Sequence, residues 1–398
     1  MVVASLDAAE RFQSNAAQLA SLAVLQLIVY AAMQIPVGIA LDRFGPRIML
    51  FCGAIIMAIG QLVVAFAPAL EWAVVGRMLV GMGDAFTFIS MIRMVNNWMS
   101  GKAAALAQQW LATIGQLGQI VSAIPFAIGL ASYGWTTAFS TLAAVGLVAA
   151  TFVFIAAMDA PTGRIKSQSS FKQVVAALRG NLGRAPVKAA FWTHFLTQSP
   201  GNVFALLWGV PFLVEANGKT PAFASAMLTL FVITNASMGP VVGALTARYQ
   251  SKRHYLVFGS GFGILLAWAL ALLVPSNLPD LAVVLLVMVL GVGGPVSMVA
   301  FDYSRTYVPN AELGAANGFI NIGGFLAGLL MIGSIGVLLD AQRALNPGTG
   351  LYDSTHFKLA LCVQFAVVGF GLWRFAKANA RVRLESAHPP LSAQRAGE

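Results

Sequence analysis

Two charged side chains stand seven residues apart inside one apolar stretch, Arg77 and Asp84 of Val74-Val-Gly-Arg-Met-Leu-Val-Gly-Met-Gly-Asp-Ala85. A charge at the centre of a bilayer-crossing helix costs about 2.5–3.5 kcal/mol on insertion scales, so it is expected to face a water-filled cavity or a partner. Seven residues is close to two helical turns, which puts both on one face. With a 1.5 Å rise they lie roughly 9 and 20 Å below the helix's outer end. Such a guanidinium binds an anionic group or tunes a proton site, and such a carboxyl contacts solute or carries a proton. An internal ion-pair network that holds helices together would use the same two residues.

A second set recurs at helical spacing: His194, Gln198 and Asn202, with Pro200-Gly201 between the last two. Pro200-Gly201 near the middle of its run is expected to break the helix and free backbone groups for a solute. The His194 imidazole titrates near neutral pH and could couple protons, although a hydrogen-bonded structural histidine is the plainer reading. Asn317 and Asn321, four apart, share a helix face, where contact with a solute or with another helix explains them equally. Nothing resembles a metal-binding His/Glu helix, a phosphate loop, dinucleotide-binding glycines or a nucleophile elbow. The sequence therefore predicts no catalytic residues, no metal and no cofactor.

The elements that position these residues are long apolar runs. The chain of 398 residues is 58% hydrophobic and 10% charged, with a mean hydropathy of +0.79, against about 25% charged residues in soluble domains. Eleven runs fall near 16–41, 48–69, 72–95, 104–130, 135–158, 188–213, 222–246, 254–274, 281–303, 314–338 and 357–376. Each approaches the ~20 residues a membrane helix needs, and they neither alternate nor match the length of barrel strands. An all-α polytopic membrane protein follows. The net charge of +10 does not indicate nucleic acid. Seventeen of the 24 lysines and arginines fall on one side of the runs against four on the other, a topology signal that places the C-terminus in the cytoplasm. Cys52 and Cys362 lie within apolar runs, so no disulfide is expected. Met1–Asn15 has no apolar core and carries Asp7 and Glu10, unlike a cleavable signal.

Between the first two runs lies Gly38-Ile-Ala-Leu-Asp-Arg-Phe-Gly-Pro-Arg-Ile-Met-Leu50. This stretch resembles the cytoplasmic loop signature of the major facilitator superfamily: Gly38, Asp42, Arg43, Gly45, Arg47 and Leu50 match, Ala40-Leu41 inverts the usual order and Pro46 replaces a basic residue. Arg77 followed by Gly81 is similar to the family's second signature. The resemblance implies two pseudo-symmetric helical bundles, with about eleven of the usual twelve spans present. Met1–Arg11 would be the end of the first span and the loop after it, the rest of that span lost by truncation; a natural eleven-span protein is the alternative. The bundles would be 1–158 and 188–376, joined by a cytoplasmic linker over 159–187 and followed by a tail over 377–398, with a surface helix expected over Phe171–Leu182. The halves repeat weakly: Gly243-Ala-Leu-Thr-Ala-Arg248 follows its span as Gly38–Arg43 does, with Ala247 where Asp42 stands.

In such a family member Asp42 would meet the start of the eleventh span and lock the outward-facing state. Gly38, Asp42, Arg43, Gly45 and Arg47 would then be latch residues. Arg93, Asp302 and Arg305 lie near the cytoplasmic mouth; an Arg93–Asp302 contact between the halves and a snorkelling Arg305 are expected. The implied function is secondary transport of a small solute across the cell membrane by alternating access. Proton coupling is expected, and the buried arginines favour an organic anion or zwitterion. A drug or metabolite exporter is the alternative within the family, and a non-transporting receptor, scaffold or truncated remnant the alternative outside it. A lipid-embedded monomer is implied; an enzyme is not.

Overall fold

Gly45 turns the chain where two apolar runs would otherwise be one. Its φ of 79° lies in the left-handed region that glycine enters without penalty. The computed structural model describes residues 5–13, 16–161, 176, 179–274, 277–346 and 353–387, and within them every regular element is helical. The Phe171–Leu182 helix and the tail beyond 387 lie largely outside the described residues. Helices α1 (Ser5–Phe12), α2 (Ala16–Phe44), α3 (Pro46–Ala65) and α4 (Leu70–Trp98) are followed by α5 (Gly101–Ala156). α5 spans 56 residues but is two helices meeting at Gly134, where φ 75° and ψ 176° depart from the helix. Two expected runs, 104–130 and 135–158, are thereby carried by one element.

α6 (Ala185–Val203) passes through Pro200-Gly201 without a break. The interruption expected there falls later, as a π-helical turn over Phe204–Trp208 before α7 (Gly209–Val214). A proline removes one hydrogen bond of the turn before it. In α6 the extra residue of the wider turn is absorbed just beyond the proline, a distortion often found at functional sites. α8 (Pro221–Arg248), α9 (His254–Leu273), α10 (Asp280–Ser297) and α11 (Val299–Tyr307) follow, then α12 (Leu313–Leu345), α13 (Ser354–Leu361) and α14 (Val363–Ala387). Among the described residues nine helices are long and apolar enough to cross a membrane. The run 188–213 is less apolar because Thr193, Thr197 and Ser199 lie in it. Their hydroxyls return to the carbonyls four residues earlier, at 2.9, 2.8 and 2.6 Å, which satisfies them without another helix.

The contacts divide the chain into two units. Unit 1 holds residues 1–100, 114–179 and 308–319; within it α3 and α2 both pack along α4. The last carbonyls of α3, which have no partner inside the helix, accept from other elements. Trp135 Nε1 donates to Val64 O (2.9 Å) and Thr136 Oγ1 to Ala65 O (3.2 Å), while Arg11 donates to Ala67 O (3.2 Å) just beyond the helix. Arg11 also places a cation at a helix C-terminus, where the dipole favours it. Unit 2 holds 101–113, 180–307 and 320–398, with α14 and α11 against α6 and α8 against α10.

Candidate functional site

In unit 1 the close approach of α2 and α4 brings Gln26 to Arg77. A Cβ on Gly81 would lie 2.4 Å from Gln26 O, and Arg77 donates from Nη2 to Gln26 Oε1. Arg77 is 9% exposed. Its hydrogen-bond acceptor is a neutral amide, and among the described residues no carboxylate lies within the 4.0 Å of an ion pair. Asp84 is exposed, midway along a helix long enough to cross a membrane. The structure therefore places a buried cation and a carboxyl two turns apart on α4, beyond ion-pair distance but close enough for each to act on the other's charge.

In unit 2, α6, α10 and α12 assemble the second set. Gln198 Nε2 donates to Asn202 Oδ1 at 3.2 Å. The Ser297 hydroxyl lies 2.9 Å from Gln198 Oε1 and 2.6 Å from Gly294 O, so its single proton is shared. His194 is buried beside Ser297 and Asn321, its Nδ1 without a hydrogen-bond partner among the described residues, and set edge-on to Phe301 at 5.3 Å. Four residues expected from sequence, His194, Gln198, Asn202 and Asn321, thus fall into one set with Ser297, which sequence reasoning misses. Asn317, fully buried, belongs by its contacts to unit 1.

The loop residues form two further contacts in unit 1. Asp42 Oδ1 accepts from Gly314 N at 2.7 Å and Oδ2 from Ala315 N at 2.8 Å. These amides open α12 and have no carbonyl of their own helix to bond. Arg93 Nη1 stands 3.5 Å from Asp42 Oδ1. Gly38 lets the backbones meet, since a Cβ there would lie 2.6 Å from Gly314 O. Beside this contact, Gly45 is the N-cap of α3 and offers no side chain. Asp159, three residues beyond the end of α5, accepts from Arg47 N at 2.8 Å in its place, and Arg47 Nε donates to Phe154 O at 3.1 Å. Arg43 is exposed beside the Phe44 ring.

Within unit 1 Arg93 pairs with Asp42, and within unit 2 Asp302 takes Arg253 at 2.5 Å and also Arg305. Arg305 is thus partnered rather than free to snorkel. Arg253, 4% exposed, also donates to Thr306 Oγ1 at 2.9 Å and lies 4.0 Å from the Tyr303 ring centre. Sequence reasoning misses Asp159 and Arg253 as well. Their only signal is a charge at the very edge of an apolar run.

Comparison with known proteins agrees on the fold. The family model of the Major Facilitator Superfamily matches residues 1–341. The "Probable sulfoacetate transporter SauU" of Cupriavidus necator is 24% identical over 372 residues, 86% of this chain and 80% of the relative. The "Hexuronate transporter" of Bacillus subtilis is 23% identical over 57% of this chain and 54% of its own. The "Probable L-galactonate transporter" of Escherichia coli is 26% identical over 36% and 32%. The E. coli fucose:proton symporter FucP superposes with a TM-score of 0.68 at 15% identity, covering 94% of this chain and 95% of FucP. The proton:xylose symporter XylE superposes equally well, covering 94% and 91%.

Proposed function

The chain belongs to the major facilitator superfamily of membrane transporters, and from that premise we propose that it carries a small organic anion across the cell membrane in symport with protons, its C-terminus in the cytoplasm. The observation that carries this reading is Arg77, buried beside a neutral amide instead of a carboxylate. A guanidinium in that setting is a standing site for a carboxylate or sulfonate, which it can hold with two parallel hydrogen bonds. The named solutes of the relatives, sulfoacetate, L-galactonate and hexuronate, are all acids, which supports the same choice. Asp84 is the proton carrier, because it is the open carboxyl of the same face. The amides of Gln198, Asn202 and Asn321 take the hydroxyl or carbonyl groups of the solute. Asp42, with Gly38 and Arg93, is the latch that holds the first turn of α12 in one state of the alternating-access cycle.

The test is uptake into proteoliposomes of galactonate, glucuronate and sulfoacetate, with fucose and xylose as neutral controls. A pH gradient, acid outside the uptake compartment, is imposed and then collapsed. Accumulation of at least one acid that fails without the gradient is the expected result. Uptake of a neutral sugar alone would overturn the anion assignment, and acid uptake indifferent to the gradient would overturn the proton coupling.

A further inference from the structure

α10 and α11 are one membrane-crossing helix interrupted at Met298. The interruption leaves backbone carbonyls to be satisfied from elsewhere. One of them, Pro295 O, accepts from Met298 N at 3.2 Å and from Gln109 Nε2 at 2.8 Å. Gln109 comes from the first turns of α5 and is 3% exposed. Those turns, residues 101–113, belong by their contacts to unit 2, whereas α5 from Ile114 onward belongs to unit 1. Their approach depends on α8: a Cβ on Gly239 would lie 2.7 Å from Thr113 Oγ1, and one on Gly243 would lie 2.9 Å from Gln109 Cγ.

The Asp42 contact has the same plan. α12 also changes unit, its first turns to Phe319 grouping with unit 1 and the rest with unit 2. A glycine of α2 lets those turns approach, and a side chain hydrogen-bonds backbone there. Gly38 and Gly243 hold corresponding places in the sequence repeat, but Ala247 stands where Asp42's counterpart would be. The α8 side of the repeat has no carboxylate at that place, and the polar tie comes from the opposite partner, Gln109.

We propose that Gln109 is a second latch residue for the transport cycle, a positioning residue that ties the first turns of α5 to the broken helix α10–α11. This rests on the transporter reading above. The tie suits a contact that must release. It is one neutral hydrogen bond, and Gln109 Oε1 remains buried without a partner among the described residues, which offsets part of what the bond contributes.

The test needs no solute. Cys52 and Cys362 are replaced by alanine and Thr113 by cysteine, and the protein is labelled with N-ethylmaleimide in nanodiscs. Gln109→Met keeps the length and the apolar stem but removes the donor; Gly243→Ala keeps the donor but spoils the approach. Each is expected to speed labelling at position 113 about fivefold, the equilibrium shift of one neutral hydrogen bond. A control cysteine in place of Ala271 on α9, 3% exposed, should keep its rate. Unchanged labelling at 113 in both variants overturns the latch, and an equal rise at the control overturns it in favour of general loosening. Where an acid is transported, Gln109→Met should lower the maximum rate and leave half-saturation within about twofold of the parent, as expected of a group that acts on the cycle and not on the solute. A raised half-saturation alone would overturn the assignment. Failure of every tested acid to move would count against the solute assignment and leave the labelling result standing.

Discussion

Removing one charge from Asp42 should open the α12 contact without disturbing its shape. Asn keeps the volume and one acceptor oxygen, but its NH₂ then faces one of the two amides of Gly314 and Ala315 that Asp42 holds at 2.7 and 2.8 Å. One charge-assisted hydrogen bond is lost, a contribution of about 1.5–3 kcal/mol, and Arg93 at 3.5 Å loses its counter-ion. Taking about 2 kcal/mol for the sum after relaxation, the latched state loses roughly 30-fold in population. The direct assay is hydrogen–deuterium exchange of the peptide over 313–319 in nanodiscs. Its first amides owe their protection to Asp42, because helix-opening N–H groups lack intrahelical partners. Asp42→Asn should speed that peptide by roughly 30-fold while the middle of α12 stays protected. Gly38→Ala should act in the same direction, since its Cβ would sit 2.6 Å from Gly314 O and 3.0 Å from Ala315 Cα, both backbone. The double variant should fall short of the sum, because both break one contact. Unchanged exchange in Asp42→Asn, or a pure loss of solute affinity with unchanged exchange, would refute the latch argument.

Asp84→Asn should abolish gradient-driven accumulation while solute exchange between two equal pools continues; undiminished accumulation with unchanged pH dependence would remove Asp84 from the proton path. Asp159→Ala should lower the melting temperature by a few degrees, because it removes the carboxylate that caps Arg47 N, a cap typically contributing about 1 kcal/mol. Half-saturation for a transported acid should not change, and a change would place Asp159 in the solute path.

The charges inside apolar runs are legible in the order of the amino acids alone. Arg77 and Asp84 stand out because burial makes a charge costly, and the turn at Gly45 follows from glycine between two spans. Partner choice is not legible in the same way. Arg93 and Asp302 have opposite sign and similar depth, which suggests a pair. Within each unit, helix register sets Arg93 against Asp42 and gives Asp302 two arginines, neither of which is marked as a partner by its position in the chain. Pro200 signals a lost hydrogen bond, but where the helix widens depends on the neighbours of Phe204–Trp208, such as Ile332 O, which accepts from Trp208 Nε1 at 3.2 Å. Gln109 gives no signal at all: a neutral glutamine at the edge of an apolar run becomes meaningful only when a broken helix offers it a carbonyl.

The distribution of buried charge bears on what Arg77 is for. Twice the chain settles a buried arginine in the stable way, with a carboxylate: Arg93 on Asp42 and Arg253 on Asp302. Leaving one partner of a buried pair uncompensated costs about 3–5 kcal/mol, so an arginine kept only for structure would be expected to follow the same pattern. Arg77 does not; its hydrogen-bond acceptor is Gln26, and the carboxylate that acts on its charge, Asp84, stands two turns along α4, outside ion-pair distance. Gln26→Glu would supply the missing carboxylate at the same length. On the anion reading it fills the guanidinium with an internal counter-ion, so thermal stability should hold or rise while uptake of the transported acid falls more than tenfold. A structural Arg77 predicts the gain in stability with uptake intact. Full uptake in Gln26→Glu, with the protein folded and the acid still concentrated by the gradient, would mean that the solute's charge is read elsewhere.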